Sequence, residues 1–129
     1  MSTMLLDATA LLALLFDEKG ADVVAAALDE GAALSAATVA EVAARLQLDG
    51  WSDRDVSVVL GDLNFEVIPV DAEIALLSGV VRQKTQKLGL CLGDRLCLAT
   101  AAAHERPVLT ADKTLKKIRL PNVKIKCVR

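Results

Sequence analysis

Short apolar runs and stretches of helical period alternate along the whole chain. Apolar runs of about 4–8 residues bounded by turn residues mark buried strands, and i, i+3, i+4 spacing marks helices. Thr3–Leu6, Ala33–Ala36, Glu66–Val70, Pro107–Thr110 and Val123–Val128 read as strands. Thr9–Phe16 is an Ala/Leu helix and Ala21–Asp29 a second. Val39–Leu48 is a helix stopped by Asp49-Gly50, and Asp53–Leu63 follows Ser52 as N-cap. Ala72–Lys87 is a long helix behind Asp71, stopped near Gly89. Asp94–Ala103, built of small residues, predicts a closely packed helix, and Lys113–Ile118 a short one. This alternation predicts an α/β chain with a mainly parallel sheet covered on both faces. No repeat, low-complexity tract or Pro/Gly/Ser linker divides it, so residues 1–129 are expected to form one domain.

In such sheets ligands collect beyond the carboxyl ends of strands, where the strand order switches. Four acids fall at positions of that kind. Asp7 follows the first strand and Asp112 follows Val-Leu-Thr; Glu41 is expected in the first turn of the helix after the second strand, and Asp94 opens the small-residue helix. Each has a plain role too. Asp7, Asp94 and Asp112 suit helix caps, and Thr38-Val39-Ala40-Glu41 reads as a T-x-x-E capping box. Taken together the four mean more. Converging carboxylates with no Lys or Arg among them repel unless a cation lies between, and oxygen donors without nearby His or Cys select Mg²⁺ or Mn²⁺. Such clusters serve phosphodiester cleavage.

Composition narrows the classes. Hydrophobic residues make up 53% and aromatics 2%, so the core is built from Leu, Val, Ile and Ala, and base stacking is not the main binding mode. The net charge of -2 gives no overall polyanion signature. The charge is uneven, however. All 17 acids lie in 1–112 beside 8 Lys and Arg, and 113–129 holds 7 Lys and Arg and no acid. That basic end offers local contact with phosphates; its alternation in Val123-Lys124-Ile125-Lys126-Cys127 also fits an edge strand guarded against pairing. Leu5–Phe16 is interrupted by Asp7 and too short to span a bilayer, and no basic residue precedes it, so no membrane or export segment is expected. The cysteines at 91, 97 and 127 form no C-x-x-C pair, and the single histidine, His104, reads as a helix C-terminal residue. Cys91 and Cys97 read as small packed residues, and reduced thiols fit a cytoplasmic setting. Trp51 before Ser52 reads as a hydrophobic staple.

Four segments in order, M-L-L-D-A-T-A-L-L-A-L-L, S-A-A-T-V-A-E-V-A-A-R-L, L-G-L-C-L-G-D-R-L-C-L-A-T-A and P-V-L-T-A-D-K, resemble the successive motifs of PIN-domain ribonucleases, and most closely bacterial VapC-type toxins. The resemblance implies a three-layer α/β/α fold, a homodimer, RNA cleavage and a small antitoxin that blocks the site. It makes Asp7, Glu41, Asp94 and Asp112 the catalytic, metal-binding set for Mg²⁺ or Mn²⁺, with Thr110 orienting the site. Thr9 and Cys91 stand where the family often has Ser; neither change removes a ligand. Arg95 is a candidate phosphate contact, and a folded RNA recognised by shape suits the aromatic-poor surface. The alternative is a non-catalytic PIN-like module binding RNA or protein, which would be expected to lose an acid. A phosphoaspartate receiver, a haloacid-type phosphatase and a dinucleotide enzyme are disfavoured, since Asp7-Ala8-Thr9 supplies neither paired acids nor a Gly-rich turn.

Overall fold

The computed structural model describes residues 3–129. Five strands form one parallel sheet in the order β3-β2-β1-β4-β5: β1 Leu5–Leu6, β2 Ala33–Ser35, β3 Glu66–Ile68, β4 Val108–Thr110 and β5 Ile125–Cys127. Leu5 stands opposite both Ala33 and Val108, and Leu6 opposite Leu34 and Leu109. Among the described residues six α-helices accompany the sheet: α1 Ala8–Leu15, α2 Ala21–Asp29, α3 Ala36–Leu48, α4 Asp53–Asp62, α5 Ala72–Lys84 and α6 Leu92–His104.

The period-2 alternation of strand side chains divides the core in two. Leu5, Ala33 and Val108 point to one face and pack with Ile74 and Val81 of α5 and Leu98 of α6. Their chain neighbours Leu6, Leu34 and Leu109 point to the other and pack with Leu11, Val24, Val42, Leu46 and Val56 of α1 to α4. The result is the expected three-layer α/β/α arrangement. Chain order runs from β1 to β2 on one side, while β4 flanks β1 on the other, so the switch point lies between β1 and β4.

Most element expectations hold, with shorter strands. Three helix ends differ for local reasons. α3 begins at Ala36 because Ser35 ends β2 and its Oγ accepts from Ala37 N at 3.1 Å. Thr38-Val39-Ala40-Glu41 is therefore no capping box; Thr38 is buried inside the helix and Glu41 lies in its second turn. α6 begins at Leu92, capped by Cys91, so Asp94 is its third residue and not its opener. α5 stops at Lys84, and Gln86–Leu88 continue as a 3₁₀ turn into Gly89, whose φ of 61° suits a residue without a Cβ. The expected helix at Lys113–Ile118 is reduced to a 3₁₀ turn, Leu115–Lys117. β5 is an edge strand with Lys126 exposed, as the alternating lysines predict. His104 ends α6, and Trp51 packs partly buried beside the α3–α4 turn. Among the described residues no helix is long and apolar enough to cross a membrane.

Candidate active site

The switch point carries the acids. Asp7 leaves β1, ends buried and caps α1, its Oδ1 accepting from Ala10 N at 2.9 Å. Two hydroxyls hold it further. Thr9 Oγ1 donates to Oδ1 at 2.8 Å, and Thr110 Oγ1, at the end of β4, donates to Oδ2. Each hydroxyl has one proton to give, so each accepts in return from a backbone N–H: Thr9 from Ala111 at 3.0 Å, Thr110 from Asp112 at 3.0 Å. The Asp7 carboxylate is thus fixed between two strand ends. A carboxylate has about four acceptor positions, and these three donors leave one, on Oδ2.

Glu41 approaches from α3 and Asp94 from the first turn of α6. Cys91 and Asp94 close a reciprocal cap: Asp94 N donates to the Cys91 sulfur at 3.4 Å, and Cys91 N to Asp94 Oδ2 at 3.3 Å. The Cys91 thiol in turn donates to Glu41 Oε2 at 3.6 Å, joining α6 to α3. Gly93 makes room for that meeting, because a Cβ there would run into the Glu41 carboxylate. Cys91 is exposed, so it is not the packed residue the sequence suggested, and the acids do not stand free of sulfur. Cys97 is buried, as expected, and burial pushes its thiol far up, with the Asp7 charge adding to it.

Charge ties three of the acids together. Burial raises Asp7 above the ordinary carboxylate range; its hydrogen bonds to Thr110, Ala10 and Thr9 oppose this, and the Asp94 charge adds to it. Glu41 is raised by burial, then by Asp94, with Asp7 also contributing. The Cys91 thiol is raised by burial and by the charges of Asp94 and Glu41, so it stays protonated and able to donate. None of these acids forms an ion pair with Lys or Arg among the described residues. Asp112 is placed on the same sheet edge but turns to its own backbone, Oδ1 accepting from Thr114 N at 2.8 Å, and its charge is not among those that raise the other acids. Among the described residues no three His, Cys, Asp or Glu side chains enclose an ion-sized space as they stand. The donor chemistry nonetheless suits a hard divalent cation: the Asp94 charge raises both Asp7 and Glu41, no basic side chain pairs with them, and Gly93 lets the Glu41 carboxylate pack close against the start of α6.

Thr9 and Gly93 were not singled out as site residues from the sequence. Thr9 was visible as D-x-T after the strand, and the reciprocal cap as C-x-x-D in the spacing of a capping box, with Cys in a place usually held by Ser or Thr.

The family model described as PIN domain matches residues 4–120. No curated protein sequence matches significantly. Among solved structures, a toxin-antitoxin complex from Klebsiella pneumoniae contains a chain 27% identical, with a TM-score of 0.68 over 93% of this chain and 94% of that one. A DNA-bound VapBC from Salmonella typhimurium aligns over 100% of both chains at 18% identity and a TM-score of 0.77. FitAcB from Neisseria gonorrhoeae aligns over 97% of each at 24% identity and a TM-score of 0.69. The chain belongs to the PIN domain family, and its fold is the one found in VapBC-type complexes.

Proposed function

We propose that this chain is a divalent-metal-dependent endoribonuclease of VapC type, a cytoplasmic toxin acting as one domain over residues 1–129 and neutralised by a small antitoxin. The observation that carries the reading is the convergence of Asp7, Glu41 and Asp94 at the sheet's switch point with no basic partner, where the Asp94 charge raises both Asp7 and Glu41. Asp7, Glu41 and Asp94 would hold Mg²⁺ or Mn²⁺, with Asp112 at the rim as the fourth acid. A bound ion of this kind supplies an activated water and stabilises charge on the phosphate. The protein's own part is orientation. Thr9 and Thr110 fix both oxygens of Asp7, and the Cys91 thiol holds Glu41 at Oε2 against α6. The likeness to toxin–antitoxin complexes supports the antitoxin partner; the homodimer is part of the proposal.

Purified chain, freed of any partner, is expected to cut RNA with Mg²⁺ or Mn²⁺ and to stop in EDTA. Cleavage undiminished by EDTA would overturn the metal requirement. No cleavage with either metal would favour a non-catalytic PIN-like module.

A further inference from the structure

On the other flank of the first turn of α6 lies a cavity of about 280 Å³. The last turn of α5, the 3₁₀ turn after it and the start of α6 form its wall, with Arg82, Thr85, Gln86, Gly89, Leu90 and Arg95. It holds two guanidinium groups and no acid. Neither arginine forms an ion pair among the described residues, whereas Arg45, Arg106 and Arg129 each do. Arg106 lines a larger groove of about 530 Å³ at the other end of β4, but Glu66 and Thr3 already occupy its guanidinium.

Two structural explanations account for only part of this arrangement. Arg82 sits in the last turn of α5, where the helix dipole favours a cation. Arg95 is the fourth residue of α6, near the end where the dipole disfavours one. Its Nε donates to the Cys91 carbonyl at 3.4 Å, which tethers the guanidinium at that turn and leaves its terminal nitrogens free. The Thr85 hydroxyl is committed to the Val81 carbonyl at 2.7 Å, so among the described residues the free side-chain donors of the wall are the Arg82 guanidinium, the terminal nitrogens of Arg95 and the Gln86 amide. Unpaired cations around one concavity call for an anion, and the guanidinium fork matches a phosphate.

We infer that the Arg82–Arg95 cavity is a phosphate subsite, taking a backbone phosphate of the RNA next to the bond that lies at the acids. The inference rests on the nuclease reading above. Arg95 directly follows Asp94, so the two side chains leave the first turn of α6 on adjacent flanks, about 100° apart. A strand that crosses this turn at Asp94 would pass next over Arg95, and the subsite would set which bond reaches the acids.

The test is single-turnover RNA cleavage in Mg²⁺ over a range of RNA and salt concentrations, with Arg82→Gln, Arg95→Gln and, as control, Arg54→Gln on α4. Each cavity variant should raise the half-saturating RNA concentration about 5- to 20-fold, as expected for losing charged hydrogen bonds. Each should also make the salt dependence shallower by about 0.7 in log–log slope, with little change in maximal rate. Arg82→Lys and Arg95→Lys, which keep the charge and lose the fork, should fall between. Arg54→Gln should match the parent. Half-saturation within about twofold of the parent in both Gln variants, or a loss of maximal rate alone, overturns the subsite and leaves the nuclease reading intact. A parent chain that cuts no RNA overturns both.

Discussion

Asp94→Asn removes one charge from the site and little else. Asp94 Oδ2 accepts from Cys91 N at 3.3 Å, a bond the Asn carbonyl oxygen can keep. Its charge is the main electrostatic cause of Glu41's raised proton affinity, after burial, and the smallest of the causes acting on Asp7. Relief therefore comes mostly through Glu41. Two carboxylates at ~6 Å with an effective dielectric of ~20–40 repel by roughly 1.5–3 kcal/mol, an upper figure because proton uptake trims it. Against this, an acid in the first turn of a helix contributes about 0.3–1 kcal/mol through the dipole, and Asn loses that. The balance favours the variant by about 1 kcal/mol, or roughly 3–6 °C in Tm for a chain of this size. The assay is thermal unfolding of parent and variant near neutral pH, in EDTA and with saturating Mg²⁺. Asp94→Asn should melt higher in EDTA. Mg²⁺ at ~100 times its Kd should stabilise the parent by about 2.7 kcal/mol, and the variant by less. A variant that melts lower in EDTA and responds to Mg²⁺ as the parent does would refute the charge-cluster reasoning.

Other perturbations separate packing from chemistry. Gly93→Ala should keep or raise Tm, since Ala is the better helix former by up to about 1 kcal/mol, while displacing Glu41 and cutting RNA cleavage at least about tenfold; unchanged cleavage would show that Glu41 tolerates the shift. Thr38→Val should leave stability nearly unchanged, because the buried Thr38 hydroxyl has no oxygen or nitrogen partner and only the weakly bonding Cys97 thiol beside it; denaturant unfolding reads this, and a loss above about 1 kcal/mol would contradict it. Asp7 binds its proton more tightly folded than unfolded, so its contribution falls as pH rises from the ordinary value of 3.8 through its raised one. Metal-free Asp7→Asn should therefore gain on the parent across that window in melts at stepped pH, and a constant difference would oppose the assignment.

The three layers were legible because the strand signal is simple. Leu5-Leu6 and Val108-Leu109 put one residue on each face, and the two hydrophobic clusters follow from that alternation. Helix starts were harder to read where two capping residues compete. Ser35 and Thr38 both suit a cap, and Ser35 prevails because β2 ends on it, which moves Glu41 a turn deeper into α3. Cys91 escaped because sulfur caps weakly and rarely. The acids themselves stood out at the ends of elements, and Thr9 lies two residues from Asp7, but the contact of the Thr110 hydroxyl with Asp7 depends on β1 and β4 lying side by side across more than a hundred residues of chain. Spacing along the sequence does not contain that adjacency. Nor does it contain the pairing of Arg82 with Arg95, which the end of α5 and the start of α6 bring to one cavity.

The most direct measurement of the central claim is single-turnover RNA cleavage by Glu41→Gln beside the parent, both freed of partner and matched in folding by circular dichroism. Glu41 lies in the second turn of α3 and takes no part in its cap, so the substitution removes a charge from the site and leaves the helix start alone. The account predicts a Tm at or above the parent's in EDTA and a cleavage rate lower by at least about 100-fold, the scale of losing one charged group from a preorganised site. Cleavage at the parent's rate by a well-folded Glu41→Gln would contradict it.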